Sequence, residues 1–286
     1  MSTAKIKKKD GFFSKFRKNK LAFAAFILLI VEIAAMFLLP IILGLDPSAS
    51  DFGGFNKAPG GEHILGTDDA GRDMLARLID GGKTSLFVGI SSTLISLVIG
   101  IPLGLMAGYY RGAWETIVMR VADVFMSFPS MILVLVLVAI FSPSVVTVIG
   151  VIGVLGWTAV AKLIYGNVLS VRNKEYVEAA KTIGMSNFEI IIKYILPNSI
   201  APVWVALPFT VSQAIMTEAA LSFLGMGVQS PQASWGNIIN SAQKYIVLVN
   251  RPWQWIPAGV MLIITVVLIN LIGEGIRDAF DPKTKQ

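Results

Sequence analysis

Few stretches of this chain carry the residue types that do covalent chemistry. Asp-Gly-Gly-Lys-Thr-Ser at 80–85 ends like a phosphate-binding loop, whose backbone amides and lysine would cradle a nucleotide. Such a loop needs a glycine at position 77, where Arg77 stands, and no buried strand precedes it, so it is not read as a nucleotide site. His63 is the single histidine and lies among Asp and Gly. One imidazole cannot assemble a His-based metal site, and no nucleophile motif points to it as the base of a triad, so it is read as a solvated loop residue. Cysteine is absent, which removes disulfides, thiolate nucleophiles and thiolate metal sites. The chain therefore offers no catalytic, cofactor-binding or metal residues and is not read as an enzyme.

The informative charges are those inside apolar stretches, where an ion persists only with a partner or a watery path. Arg120 and Asp123 are three residues apart, a spacing that lets them pair on one helix face. A structural ion pair is the favoured reading of the two, over a role in a pathway. Glu218, beside Ala-Ala-Leu-Ser-Phe-Leu-Gly, either lines such a path or pairs across a helix bundle.

The elements that must position these groups are membrane spans. Of 286 residues, 55% are hydrophobic and only 15% charged, with a mean hydropathy of +0.70, too apolar for the surface of a water-soluble domain. Apolar runs near 21–43, 86–109, 117–141, 145–165, 200–223 and 256–276 each supply the roughly 20 residues that cross a bilayer. The first is read as a retained span, since no cleavage site follows it promptly. Both termini then share one side. The flanks on that side hold 18 of the 24 Lys and Arg residues, so the positive-inside rule makes them cytoplasmic. Much of the net charge of +6 lies in the block before the first span, which suits anionic lipid heads rather than nucleic acid. The expected organisation is a basic segment 1–20, a first span 21–43, an outward loop 44–85, a core 86–276 and a tail 277–286. Gly100, Gly104 and Gly108 form a small-residue seam for close helix packing, and Pro129, Pro202 and Pro208 are expected to bend spans three and five.

One polar segment, 166–199, interrupts the core. Tyr176, Ala179, Ala180 and Ile183 fall at i, i+3, i+4 and i+7, giving a short helix an apolar stripe that needs a partner. Gly184 is placed to end that helix, and Ser186 with Glu189 forms a capping box, flanked by Met185 and Ile190 as a hydrophobic staple. A second helix is predicted to run from Ser186 toward Pro197. From pattern alone, the stripe packs on the chain's own helix ends or lies on the membrane interface.

The segment Glu-Ala-Ala-Lys-Thr-Ile-Gly, ending in Leu-Pro, resembles the Glu-Ala-Ala loop of ABC-importer permeases. The matching positions are Glu178, Ala179, Ala180, Gly184, Leu196 and Pro197, with Tyr194 where that family often has Ile. Four further segments, beginning at His63, Met119, Glu218 and Asn270, are similar in the same order to the second permease of dipeptide and oligopeptide importers, whose nickel-importing relatives are close. This resemblance implies an all-α, MetI-like membrane fold of about six transmembrane helices in a bacterial cell membrane, with a cytoplasmic coupling helix. Glu178, Ala179, Ala180, Ile183, Gly184, Ser186, Leu196 and Pro197 would form that coupling surface. The implied partners are a second permease, two ATPase subunits that carry ATP and Mg, an extracytoplasmic binding protein and lipid. Peptide is preferred to nickel on family breadth; a scaffold that merely recruits a soluble partner is the remaining alternative.

Overall fold

The computed structural model describes residues 12–280; the expectations for residues 1–11 and 281–286, parts of the basic segment and the tail, lie outside it. Helices α1 (Phe12–Lys18) and α2 (Lys20–Leu43) open the chain. The core follows as α3 (Met74–Tyr110), α4 (Gly112–Met126), α5 (Ser130–Phe141) and α6 (Val145–Val171). The polar segment folds as α7 (Glu175–Thr182), α8 (Asn187–Ile190), a π-turn (Ile191–Ile195) and α9 (Leu196–Ser199). Then come α10 (Ala201–Phe223), α11 (Trp235–Asn240), α12 (Tyr245–Asn250) and α13 (Ile256–Phe280). Among the described residues, extended pairing is limited to isolated bridges.

Among the described residues, four helices, α2, α3, α6 and α13, are long and apolar enough to cross a membrane, or up to six spans if each bent pair counts as one. The bent pairs are α4 with α5, at 91°, and the α8–α9 stretch with α10, at 60°. The first break falls at Pro129, which supplies no amide donor and directs the residue before it away from helix. Pro208 lies inside α10 without interrupting it.

Several boundaries depart from the sequence expectation: α6 runs on to Val171, into the segment expected from 166, α13 runs on to Phe280, into the expected tail, and the outward loop departs most. The outward loop ends at residue 73, because 74–85 belong to α3, started by the Asp73 carboxylate accepting the Ala76 amide at 2.9 Å. Arg77, Asp80, Lys83 and two glycines disguised this turn-rich start as loop. At 37 residues, α3 is about 55 Å long, well beyond the about 30 Å of hydrocarbon, so its first turns stand clear of it.

The seam between α3 and α6 is built on the predicted small residues. A Cβ added at Gly104 would lie 2.5 Å from the Ala161 carbonyl oxygen, closer than any packing tolerates. Lipid is as apolar as leucine, so this backbone contact, rather than burial from water, holds the two spans together.

At the end of the bundle that holds 44–73, the chain closes on itself. The Arg251 guanidinium donates to Asn56 at 2.6 Å, and Gln254 donates to the Thr67 carbonyl at 2.9 Å. Lys244 meets Asp69 at 2.7 Å, and Arg72 and Arg77 both approach Asp68, at 2.8 and 3.4 Å. His63 is not merely solvated: its Nδ1 lies 2.8 Å from the Oδ2 of Asp73, the residue that caps α3.

Candidate functional site

At the opposite end, the segment from Glu175 to Ser199 forms an angled helix pair. Its base joins an apolar cluster of Tyr109, Ile164, Val168, Val177, Ala180, Ile190 and Ile195. The Tyr109 hydroxyl donates to Asn187 at 2.8 Å, fixing α8 against the end of α3. The buried face of α7 is Val177 and Ala180, so the predicted stripe is divided: Ala180 points in, while Tyr176, Ala179 and Ile183 point out. Val177 was missed because α7 is apolar on two sides, and three-residue spacing fits Val177 to Ala180 as well as Tyr176 to Ala179.

The turn between the helices is closed by backbone geometry. Gly184 has φ +80°, its amide donates to Lys181 O at 3.0 Å, and the Met185 amide donates to Ala180 O at 3.2 Å. These two bonds are the Schellman pair that satisfies the last carbonyls of a helix, and they require a left-handed residue at Gly184. The predicted capping box follows at once: Ser186 Oγ accepts the Glu189 amide, and the Glu189 carboxylate accepts the Ser186 amide. Glu178 pairs with Lys181 at 2.8 Å on the exposed side, a contact of small energetic value.

The result is a rigid elbow with an apolar tip. Ile183 is 76% exposed and Phe188 72% exposed, on either side of Gly184. Leu196 packs on the base cluster, while Pro197 is exposed. The π-turn just before it has the Leu196 amide bonding to Ile191 O, one residue further back than in an α-helix. Pro197 has no amide to offer and its ring crowds the carbonyl four residues earlier, so a widened turn accommodates it.

The three singled-out membrane charges part company. Asp123 pairs not with Arg120 but with Lys162 of α6, at 2.7 Å, because its side chain leans across to the neighbouring helix. Arg120 shares with them a cleft of about 550 Å³ that also holds Glu115 and Tyr165, whose hydroxyl donates to Glu115. Glu218 lies elsewhere, fully buried. It accepts hydroxyl hydrogen bonds from Ser85 at 2.8 Å and Ser222 at 2.6 Å. Those hydroxyls in turn accept the Trp235 and Val228 amides, so one carboxyl ties together α3, α10 and the start of α11. A further membrane carboxyl, Glu32 of α2, accepts the Thr265 hydroxyl of α13. Lone acidic residues in long apolar runs were the available signal for it.

Residues 100–286 match the family described as the binding-protein-dependent transport system inner membrane component. Over 273 residues the chain is 35% identical to the oligopeptide transport system permease protein OppC of Bacillus subtilis, covering 95% of this chain and 88% of that one. It is 36% identical to the dipeptide transport system permease protein DppC of Alkalihalophilus pseudofirmus, covering 96% and 89%. Against the glutathione transport system permease protein GsiD of Pectobacterium atrosepticum it is also 36% identical, covering 96% and 91%. Among solved structures, an inward-facing form of the MetNI methionine ABC transporter shares the fold, with a TM-score of 0.60 at 20% identity, covering 73% of this chain and 98% of that chain. With the family match spanning well over half of its length and these relatives aligned almost end to end, the chain belongs to the binding-protein-dependent transport system inner membrane components, the multi-pass membrane permease subunits of ABC transporters.

Proposed function

We propose that this chain is a permease subunit of an ATP-driven importer for dipeptides or oligopeptides, forming half of the translocation pathway. Its partners are a second, homologous permease, two ATPase subunits that bind ATP and Mg, and an extracytoplasmic peptide-binding protein. The observation that carries the reading is the elbow at Gly184, which holds Ile183 and Phe188 outward on a base packed against the ends of the spans. A groove on an ATPase subunit is the partner such a tip fits: a small apolar wedge ringed by Glu178, Lys181, Ser186 and Glu189. Movement of that groove would be transmitted through α7 and the π-turn to α10. The peptide substrate is supported by the relatives, which are named for oligopeptide, dipeptide and glutathione transport. Both termini and the elbow are assigned to the cytoplasm by the distribution of basic residues.

The test is uptake by the assembled complex in proteoliposomes. ATP-dependent accumulation of a labelled peptide, absent when this chain is omitted, is the expected result. Accumulation of nickel in place of peptide would move the substrate to the metal-importing relatives. A cysteine at Ser186 labelled by an impermeant reagent from outside the cell would reverse the orientation and the coupling role with it.

A further inference from the structure

The third span is not continuous. Against α6, helix α4 packs on the stretch around Trp157 and Ala161, while α5 packs on Val148 and Val151. The break between them therefore falls near the middle of α6, a helix long and apolar enough to cross a membrane. Residues 123–130 are exposed throughout, so no other part of the described chain covers the broken backbone. Unpaired backbone at membrane depth is tolerated where it meets protein or water, not lipid. This surface is therefore a wall of a watery path or of an interface along it.

The cleft between α4 and α6 opens one helical turn before that break. It is an open hollow of about 550 Å³. Most of its ions are accounted for: Asp123 by Lys162 at 2.7 Å, and Glu115 by the Tyr165 hydroxyl and by Arg111 at 2.9 Å. Arg120 is the exception. It is exposed and makes no hydrogen bond or ion pair among the described residues, beyond the field of Asp123 nearby. A guanidinium offers five donors in a fork that matches a carboxylate, and one that stands in a span without an acceptor is set to receive one from a solute.

We propose that the α4–α6 cleft is a transient subsite for the substrate in transit, with Arg120 receiving the free carboxylate of a small zwitterionic solute. The inference rests on the peptide-importer reading and adds to it a residue that senses the substrate inside the membrane. The experiment places a photoreactive amino acid at Thr116, which lines the cleft, in the complete complex with its partners in proteoliposomes. A labelled tripeptide with a free carboxyl terminus is driven through by ATP under illumination. Crosslinking at Thr116 is expected, weakened roughly tenfold by Arg120→Gln, the scale of one charged hydrogen bond, and only partly restored in Arg120→Lys, which keeps the charge but lacks the fork. Maximal uptake falls with it, while the half-saturating concentration, set at the binding protein, stays unchanged. Peptide uptake without a peptide crosslink, a crosslink to lipid only, or an Arg120→Gln complex that crosslinks and transports as the wild type does would overturn the subsite and leave the importer reading standing. Absence of peptide uptake by the wild-type complex would overturn both. Should Arg120→Gln fail to assemble, the Thr116 crosslink in the otherwise native chain decides alone.

Discussion

The two ends of this molecule are finished differently. At one, loops far apart in sequence are bonded to each other: Asn56 to Arg251, Thr67 to Gln254, Asp69 to Lys244, with Glu218 and its serines beneath. At the other, an elbow held by its own backbone presents Ile183 and Phe188 to whatever lies beyond the chain. The first end pairs these groups with one another, although Phe52, Ile64 and Tyr245 stay exposed there, so changes to the paired groups act on stability. At the second, Ile183 and Phe188 stand exposed, and on the proposed reading changes there act on assembly with a partner subunit.

The largest effect that would break this contrast is expected from Gly184→Val. A β-branched side chain is strained at φ +80°, so the Schellman turn should tilt or open. Membrane abundance should stay near the wild type, because the spans are held elsewhere, while peptide uptake and copurified ATPase fall by an order of magnitude or more. Normal uptake in this variant would make the elbow ordinary interfacial packing. Glu178→Lys should have a weaker effect of the same kind, severalfold in uptake, by reversing a charge on the exposed face without disturbing the turn.

Glu218→Ala should produce the mirror image. Removing the carboxyl leaves two buried hydroxyls without their acceptor, a cost of about 1–3 kcal/mol, and opens a void between α3 and α10. Lower yield and a lower thermal midpoint are expected, with uptake per surviving molecule close to normal. Normal yield with abolished uptake would instead put Glu218 on the pathway.

The smallest effect concerns pH. The hydrogen bond from Lys244 holds the Asp69 carboxyl below the usual carboxylate range. Its contribution to stability is therefore present above the ordinary carboxylate value of about 3.9, and it is lost as pH falls through the lower folded value. Thermal midpoints of the purified protein should differ slightly between wild type and Asp69→Asn at pH 7 and converge in acid. The pair is exposed, so high salt should shrink the difference as well.

Much of this architecture was legible in the sequence, for identifiable reasons. Apolar runs mark spans because the bilayer demands length, and Gly184, Ser186 and Glu189 mark the elbow because capping chemistry is local. The glycine seam was legible too, since its spacing repeats within one helix. What escaped depends on distance or on ambiguity. Asp123 finds Lys162 on another helix rather than Arg120 on its own, and Glu218 finds Ser85, 133 positions away. The inward face of α7 escaped because two apolar faces competed on eight residues. The start of α3 escaped because a helix that stands clear of hydrocarbon has no need to look apolar.

The π-turn at 191–195 carries a consequence for how such a subunit diversifies. A helix with one wide turn holds a spare residue, and losing it would restore ordinary pitch without rotating the two sides of the turn against each other. The elbow is joined to α10 through that turn. A single-codon deletion there would leave Ile183 and Phe188 aimed as before, because Val177, Ala180 and Ile190 stay seated in the base cluster and Asn187 stays on Tyr109. A change of length in this segment is thus absorbed at one turn, which gives a lineage room to vary the link between elbow and α10 without rebuilding either the tip or the bundle.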